Sequence, residues 1–335
     1  MKSFLSRDNL LLWLKRLLQE YTVIAPVQAW DTVLFQPVKG VEEIVLNYDV
    51  SALSPKDVIF PPSETLFTFE RKDGRWEARP LPEVRKQVLF GLHPCDAHGI
   101  SLMDAPFLSQ PADLHYQRRR EATILVGLAC ARARPECFCE SMGSGPQDAS
   151  HLDVLLIPTP QGYILQVRTA RGAALFIGFN IEELEIDNPP PPATTPVPVA
   201  GITEMAKSTF NDGYWERLAD RCIHCNLCAY VCPCCYCFDI RDYALKGRVE
   251  RVRSWESCQA AGFARLAGGY DPRPSKGAKL RQRFYHKFLY YPTQFKGQVK
   301  CTGCGRCVRA CPVNIDIREI VSDMQKIGAK VARAA

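Results

Sequence analysis

The spacing of apolar positions changes character along the chain. In "NLLLWLKRLLQE" (residues 9–20) the leucines recur at helical intervals, with Lys15 and Arg16 breaking the apolar run. That period predicts an amphipathic surface helix, with Asp8 or Asn9 as its cap. Further on the pattern shortens. "VLFGLH" (88–93) and "TILVGLAC" (123–130) are brief apolar runs rich in branched residues, and "HLDVLLIP" and "YILQVRTA" follow. Runs of this length predict buried strands, so strands outnumber helices in residues 1–188 and an α/β domain is expected there.

A proline-rich stretch, "NPPPPATTPVPVAG" (188–201), interrupts the pattern. Its prolines fit neither a ladder nor a helix interior, and they favour an extended spacer. The domain boundary is therefore expected at a linker over residues 189–210. Beyond it, "NDGYWERLADRCIHCNLCAYVCP" reads as a helix entering a cysteine loop, residues 238–300 are mostly helix-compatible with a break at "GGYDPRPSKG", and "IREIVSDMQKIGAKVARAA" closes the chain as a helix. The expectation for residues 211–335 is a mainly α-helical domain.

Composition adds one constraint. The 335 residues are 47% hydrophobic and 23% charged, ordinary values for two globular domains, but 16 are cysteines. No run reaches the roughly 18 uninterrupted apolar residues of a membrane span. The N-terminal stretch lacks the basic start, apolar centre and small-residue cleavage site of a signal peptide, so a cytoplasmic protein is expected. In that compartment so many thiols point to metal or redox chemistry rather than disulfides.

The thiols are grouped. Residues 222–237, "CIHCNLCAYVCPCCYC", hold seven of them. Cys222, Cys225, Cys228 and Cys232 stand at the spacing C-x2-C-x2-C-x3-C-P, and Cys301, Cys304, Cys307 and Cys311 repeat it, again followed by proline. Three thiolates three residues apart can wrap one iron–sulfur cube, while the fourth is carried off to the other cube. This predicts two [4Fe–4S] clusters, one held by Cys222, Cys225, Cys228 and Cys311 and the other by Cys301, Cys304, Cys307 and Cys232. Structural zinc would need two pairs rather than two triads with trailing Cys-Pro. Cys228, Cys232 and Cys235 also spell the C-x3-C-x2-C of radical enzymes using S-adenosylmethionine, but no barrel-sized α/β region surrounds them. The 68 residues between Cys232 and Cys301 exceed the connection of a small βαββαβ ferredoxin and predict an insertion.

A second group lies upstream. Cys95 follows the strand at 88–93 and Cys130 ends the strand at 123–130, with room for a crossover helix between them. Parallel strands so joined present their carboxyl ends at one sheet edge, where α/β folds build sites. A short loop then returns Cys137 and Cys139 to the same place. A third iron–sulfur cluster on these four thiols is expected, with His93 and Asp96 within reach. Zinc and inert buried thiols are the other readings. Cys235, Cys237 and Cys258 are expected near the cluster held by Cys232, as ligands or as hydrogen-bonding neighbours.

"SPKDVIFPPSETLFTFE", "GLHPCDAHGISLMDAPF", "HYQRRREATILVGLAC", "CFCESMGSGP" and "CPCCYCFDI" resemble the beta subunit of cytoplasmic sulfhydrogenases, and the iron–sulfur electron-transfer subunit of anaerobic sulfite reductase is similar. The resemblance runs from about residue 20 to 320. It implies a helical ferredoxin domain over 211–335, the eight ferredoxin cysteines as ligands, and Cys95, Cys130, Cys137 and Cys139 as further ligands in the N-terminal domain. It also implies an electron conduit that links a terminal catalytic subunit with an FAD- and NAD(P)H-binding flavoprotein subunit. The terminal partner is a NiFe hydrogenase, with its small and large subunits, or a sulfite reductase subunit. Cys234 departs from the pattern, where a residue other than cysteine is expected.

No Ser-His-Asp order and no phosphate-cradling glycine loop stands out, since neither "GSGP" nor "GGYDPRP" fits the dinucleotide pattern. An electron-transfer subunit without substrate chemistry of its own is therefore expected. The alternative is a stand-alone flavin-dependent iron–sulfur oxidoreductase. Residues 241–300 carry 14 Lys and Arg against 4 Asp and Glu, although the whole chain is only +6. A nucleic-acid patch would also be basic, but these residues are bracketed by redox motifs, so no nucleic acid is expected as a partner. The charge is read instead as compensation of the clusters, as a solvated face, or as a docking surface including Arg281 and Arg283.

Overall fold

The computed structural model describes residues 1–80 and 83–334. Its strands are β1 (Lys2–Ser6), β2 (Thr22–Ala29), β3 (Thr32–Pro37), β4 (Ser63–Lys72), β5 (Arg75–Ala78), β6 (Gln87–Leu92), β7 (Thr123–Leu128), β8 (Val154–Pro158), β9 (Gly162–Val167), β10 (Glu182–Leu184), β11 (Phe238–Leu245) and β12 (Arg248–Trp255). The chain divides into two compact units. One comprises Met1–Ile59, Val84–Pro196 and Cys301–Arg306, and the other Phe60–Glu83, Val197–Lys300 and Cys307–Ala335.

The first unit is built on an eight-stranded sheet in the order β10-β1-β9-β8-β7-β6-β2-β3. Its centre, β2-β6-β7-β8, is parallel, and both flanks are antiparallel. The central strands are buried on both faces, which is why they read as unbroken apolar runs. The helix Arg7–Glu20 covers the sheet, burying Leu10, Trp13, Leu14 and Leu17. Trp13 stacks on Phe176 at 4.7 Å and donates to the Leu175 carbonyl at 2.9 Å. The helix begins earlier than its pattern suggested, because Ser6 rather than Asp8 or Asn9 accepts from the Asn9 N–H. Between β6 and β7 run the helices Pro94–Phe107 and Leu114–Ala122, two where one crossover helix was expected. The proline-rich residues are bonded to this unit. Thr195 N–H donates to the Cys137 carbonyl at 2.9 Å, and the Thr194 hydroxyl to Glu140 at 2.6 Å.

The second unit has helices at Ile202–Ser208, Tyr214–Arg221, Lys276–Tyr285 and Ile317–Ala334 and an antiparallel sheet in the order β11-β12-β4-β5. Residues 238–255, read as helix-compatible, form the hairpin β11–β12, with Phe238 opposite Trp255. Arg253 on β12 is 2% exposed and ion-paired with Glu64 on β4, its guanidinium packed on Phe60 and Phe238. Among the described residues no helix is long and apolar enough to cross a membrane.

Candidate metal centres

In the first unit, β6 and β7 end side by side, tied by a 2.8 Å hydrogen bond between His93 Nδ1 and the Leu128 carbonyl. Cys95 follows in the first turn of the helix Pro94–Phe107, whose start is favoured by Pro94. Cys95, Cys130, Cys137 and Cys139 line one pocket with His93, Asp49 and Thr194. The four thiols that the sequence grouped are therefore together.

A fifth thiol was not foreseen. Cys304, from the second ferredoxin motif, lines the same pocket. Gly303 and Gly305 flank it, both with positive φ (+65° and +71°). A Cβ on Gly303 would stand 2.5 Å from the backbone of Phe138 and Cys139, and Phe138 N–H donates to the Gly303 carbonyl at 2.8 Å. Only glycine permits this backbone-to-backbone approach in that conformation. Two residues on, Arg306 reaches Asp96 at 2.7 Å and donates to the Ser51 carbonyl at 3.0 Å. Asp96 thus lies near the thiols as expected, but it is occupied by an ion pair.

Burial pushes the Cys130 and Cys139 thiols up to about 12, and Cys95 and Cys137 upward as well. These groups stay neutral unless a metal takes the proton's place.

In the second unit, Cys222, Cys225, Cys228 and Cys311 line a common pocket, which also admits Cys307. The first three thiols of one motif thus meet the fourth of the other. N–H donors already point at their sulfurs: His224 at Cys222 (3.4 Å), Ile315 at Cys311 (3.2 Å) and the Gln259 side chain at Cys228 (3.4 Å). Left-handed conformations at His224 and Asn226 let the loop curl. Arg283, 3% exposed, donates to the Cys228 carbonyl at 3.1 Å and faces the thiols of Cys228, Cys307, Cys235 and Cys232.

Cys232 has a cation of its own. Lys287 Nζ stands 3.2 Å from its sulfur and 3.5 Å from that of Cys234. Cys235 is side-chain bonded to Cys232, and Cys258 to Cys237. Cys301 is buried, 7% exposed.

Among the described residues, no three thiol, imidazole or carboxylate groups converge as one metal ion would require. Sulfur-only donor sets with N–H groups aimed at them fit an iron–sulfur cluster, whose thiolates accept such bonds. The buried cations were missed as individuals. Their signal was the excess of positive charge in residues 241–300, of which Arg253, Arg283, Lys287 and Lys300 turn inward. Burial of Arg283 removes it from the docking surface considered above.

Residues 221–315 match the family model of the 4Fe-4S dicluster domain. Over 327 residues the chain is 29% identical to the sulfhydrogenase 2 subunit beta of Pyrococcus furiosus, covering 93% of this chain and 94% of that protein. No solved structure matches the chain.

Proposed function

We propose, on the premise that the chain is a sulfhydrogenase beta-like iron–sulfur subunit with a 4Fe–4S dicluster domain, that it relays electrons between two partners and performs no substrate chemistry itself. The observation that carries this reading is the meeting of Cys222, Cys225 and Cys228 with Cys311 in one pocket, the exchange of fourth ligands that two adjacent cubes use. The second set proposed is Cys301, Cys304, Cys307 and Cys232. A third, in the sheet-rich unit, is Cys95, Cys130, Cys137 and Cys139. When bound, such clusters store and pass single electrons. The chain's own part is to hold the thiolates, to set positive charge against them through Arg283 and Lys287, and to keep water from the buried sulfurs.

The partners proposed are an FAD- and NAD(P)H-binding flavoprotein subunit on one side and, on the other, NiFe hydrogenase small and large subunits or a sulfite reductase subunit, in the cytoplasm. Anaerobic native purification tests this. Co-elution of a flavoprotein and a hydrogenase or sulfite reductase subunit is the expected result.

One observation favours the second reading, a stand-alone flavin enzyme. A cavity of about 560 Å³, within the range of small-molecule sites, lies at the ends of β6, β7 and β8, lined by Arg7, Tyr48, His93 and Thr159. Its lining shares His93 with the thiol pocket. Stoichiometric flavin in the chain purified alone would favour that reading, and a flavin-free chain with intact clusters the relay.

A further inference from the structure

Of the sixteen cysteines, the ligand sets proposed above use twelve. Cys234, Cys235, Cys237 and Cys258 remain, and they are not scattered. Three fall within four residues. The hairpin β11–β12 returns the fourth, since pairing of Phe238 with Trp255 and a 2.9 Å bond from Glu256 N–H to the Cys237 carbonyl bring the following residues back to the start of β11. Cys258 is side-chain bonded to Cys237 and faces Cys235. The Cys234 sulfur lies 3.1 Å from the Lys300 carbonyl, itself fixed by the Lys300 N–H bond to the Lys287 carbonyl at 2.8 Å.

The charges around this group need an opposite charge. Lys300 is 2% exposed. Its ammonium lies 3.1 Å from the centre of the Tyr236 ring and 3.5 Å from His286 Nε2, and it faces the thiols of Cys235, Cys234 and Cys237. Arg283, also buried, faces Cys235 and Cys258 as well as the ferredoxin thiols. A buried ammonium is costly unless paired, and neutral thiols do not supply the pairing charge. Metal-bound thiolates do, because a metal keeps its sulfur ligands deprotonated. Four sulfurs beside buried cations repeat the arrangement of Arg283 and Lys287 beside Cys228 and Cys232.

We propose that Cys235, Cys237 and Cys258 are thiolate ligands of a fourth iron–sulfur cluster of the [4Fe–4S] class, with Cys234 supplying the fourth sulfur. The group then adjoins Cys232 and extends the relay by one site, and every cysteine of the chain is a cluster ligand. The inference rests on the ligand sets proposed above only in that they leave these four thiols over.

The test uses the full chain, isolated or reconstituted anaerobically with iron and sulfide. Iron and sulfide content and Mössbauer spectra are compared for the wild type, for Cys235→Ser/Cys237→Ser/Cys258→Ser, and for Cys95→Ser and Cys222→Ser as separate variants. The triple variant is expected to lose about four irons while keeping the spectra of the other cubes. Failure of Cys95→Ser or Cys222→Ser to lose iron counts against the earlier ligand sets and leaves the triple variant's result to stand by itself. Should the triple variant not fold, alkylation of the native wild type decides. Cys235 and Cys237 are partly exposed, and they are expected to resist iodoacetamide until the iron is stripped. Unchanged iron in the triple variant, zinc or a Cys237–Cys258 disulfide at these thiols in the wild type, or alkylation of Cys235 and Cys237 in the iron-replete chain would each overturn the proposal.

Discussion

Arg306 and Asp96, 210 residues apart in sequence, form an ion pair from which water is fully excluded, 2.7 Å between Nη1 and Oδ1 with both side chains at 0% exposure. Arg306 lies two residues beyond Cys304, and Asp96 adjoins Cys95. The pair therefore fixes Cys304 against the thiols of the sheet edge. Breaking such a pair leaves one charge buried alone.

Asp96→Asn is expected to destabilise the chain by about 3–5 kcal/mol, a large part of a typical domain stability of about 5–15 kcal/mol. Replacing both partners, Asp96→Leu with Arg306→Met, is expected to cost much less, because no unpaired charge remains. Urea midpoints of the three proteins, measured anaerobically, check this. A double variant as unstable as Asp96→Asn would show that the packing, and not the charge, sets the cost.

The unequal behaviour of neighbouring arginines gives the second expectation. Arg281 lies outside the cluster region, its guanidinium 3.7 Å from the Phe210 ring centre and donating to the Phe210 carbonyl at 2.6 Å. Arg283 is buried among sulfurs. Arg283→Glu places a negative charge beside thiolates and is expected to lose the iron held by Cys222, Cys225, Cys228 and Cys311. Arg281→Glu is expected to keep it. Iron per chain and visible absorbance distinguish the two, and equal iron in both variants would contradict the role given to Arg283.

What was legible in the sequence follows from range. The ferredoxin spacing is local chemistry, so the meeting of Cys222, Cys225, Cys228 and Cys311 could be read from intervals of three. The grouping of Cys95 with Cys130 rested on strand order, which short apolar runs announce. The approach of Gly303 to Phe138 spans some 160 residues of chain and leaves no periodic trace. The hairpin was misread for a physical reason. On β12, Val249 and Val252 stand three residues apart, a helical interval, and the register against β4 shifts between Arg251 and Val252, where Leu66 of β4 is skipped. On β11 both Ile240 and Tyr243 are exposed, which removes the alternation of a half-buried strand. The inward turn of Lys287 and Lys300 was likewise hidden, because a charge count cannot tell a buried lysine from a solvated one.

His98 provides a pH dependence. It is 5% exposed and stacked on His151 at 5.0 Å, and burial, then the neighbouring His151 charge, lower its pKa from 6.5 to about 4. Asp148 opposes the shift without cancelling it. A histidine with a depressed folded pKa resists protonation, so its contribution is whole above about 6.5 and is lost as pH falls toward about 4. The slope in that window is at most about 1.4 kcal/mol per pH unit, and the total at most about 3 kcal/mol. Urea midpoints at pH 7.5, 6.5 and 5.5 should fall in the wild type, and His98→Gln should flatten the decline. An equal decline in the variant would assign the pH dependence to other groups.

Lys287 bears on redox poise. Its ammonium stands 3.2 Å from the Cys232 sulfur and is buried, 2% exposed, so water screens it little. Adding an electron to a cluster adds negative charge, and a nearby cation favours the reduced form. Removing that cation lowers the reduction potential. With an effective dielectric constant of about 20 and a charge separation of a few ångströms, the interaction is on the order of 2–4 kcal/mol, which for one electron corresponds to roughly 100 mV or more. Lys287→Met keeps an unbranched chain of similar length in the same space, so packing changes little. The expected outcome is a downward shift of about that size in the cluster on Cys232 and in the one proposed on Cys234, whose sulfur lies 3.5 Å from the same ammonium, read by redox titration followed by electron paramagnetic resonance, with iron content unchanged. The cube expected on Cys222, Cys225, Cys228 and Cys311, which has Arg283 as its own cation, should shift less. Equal shifts in all clusters would mean that the charge acts through the field of the whole unit rather than through Cys232, and no shift would mean that Cys232 is not a cluster ligand.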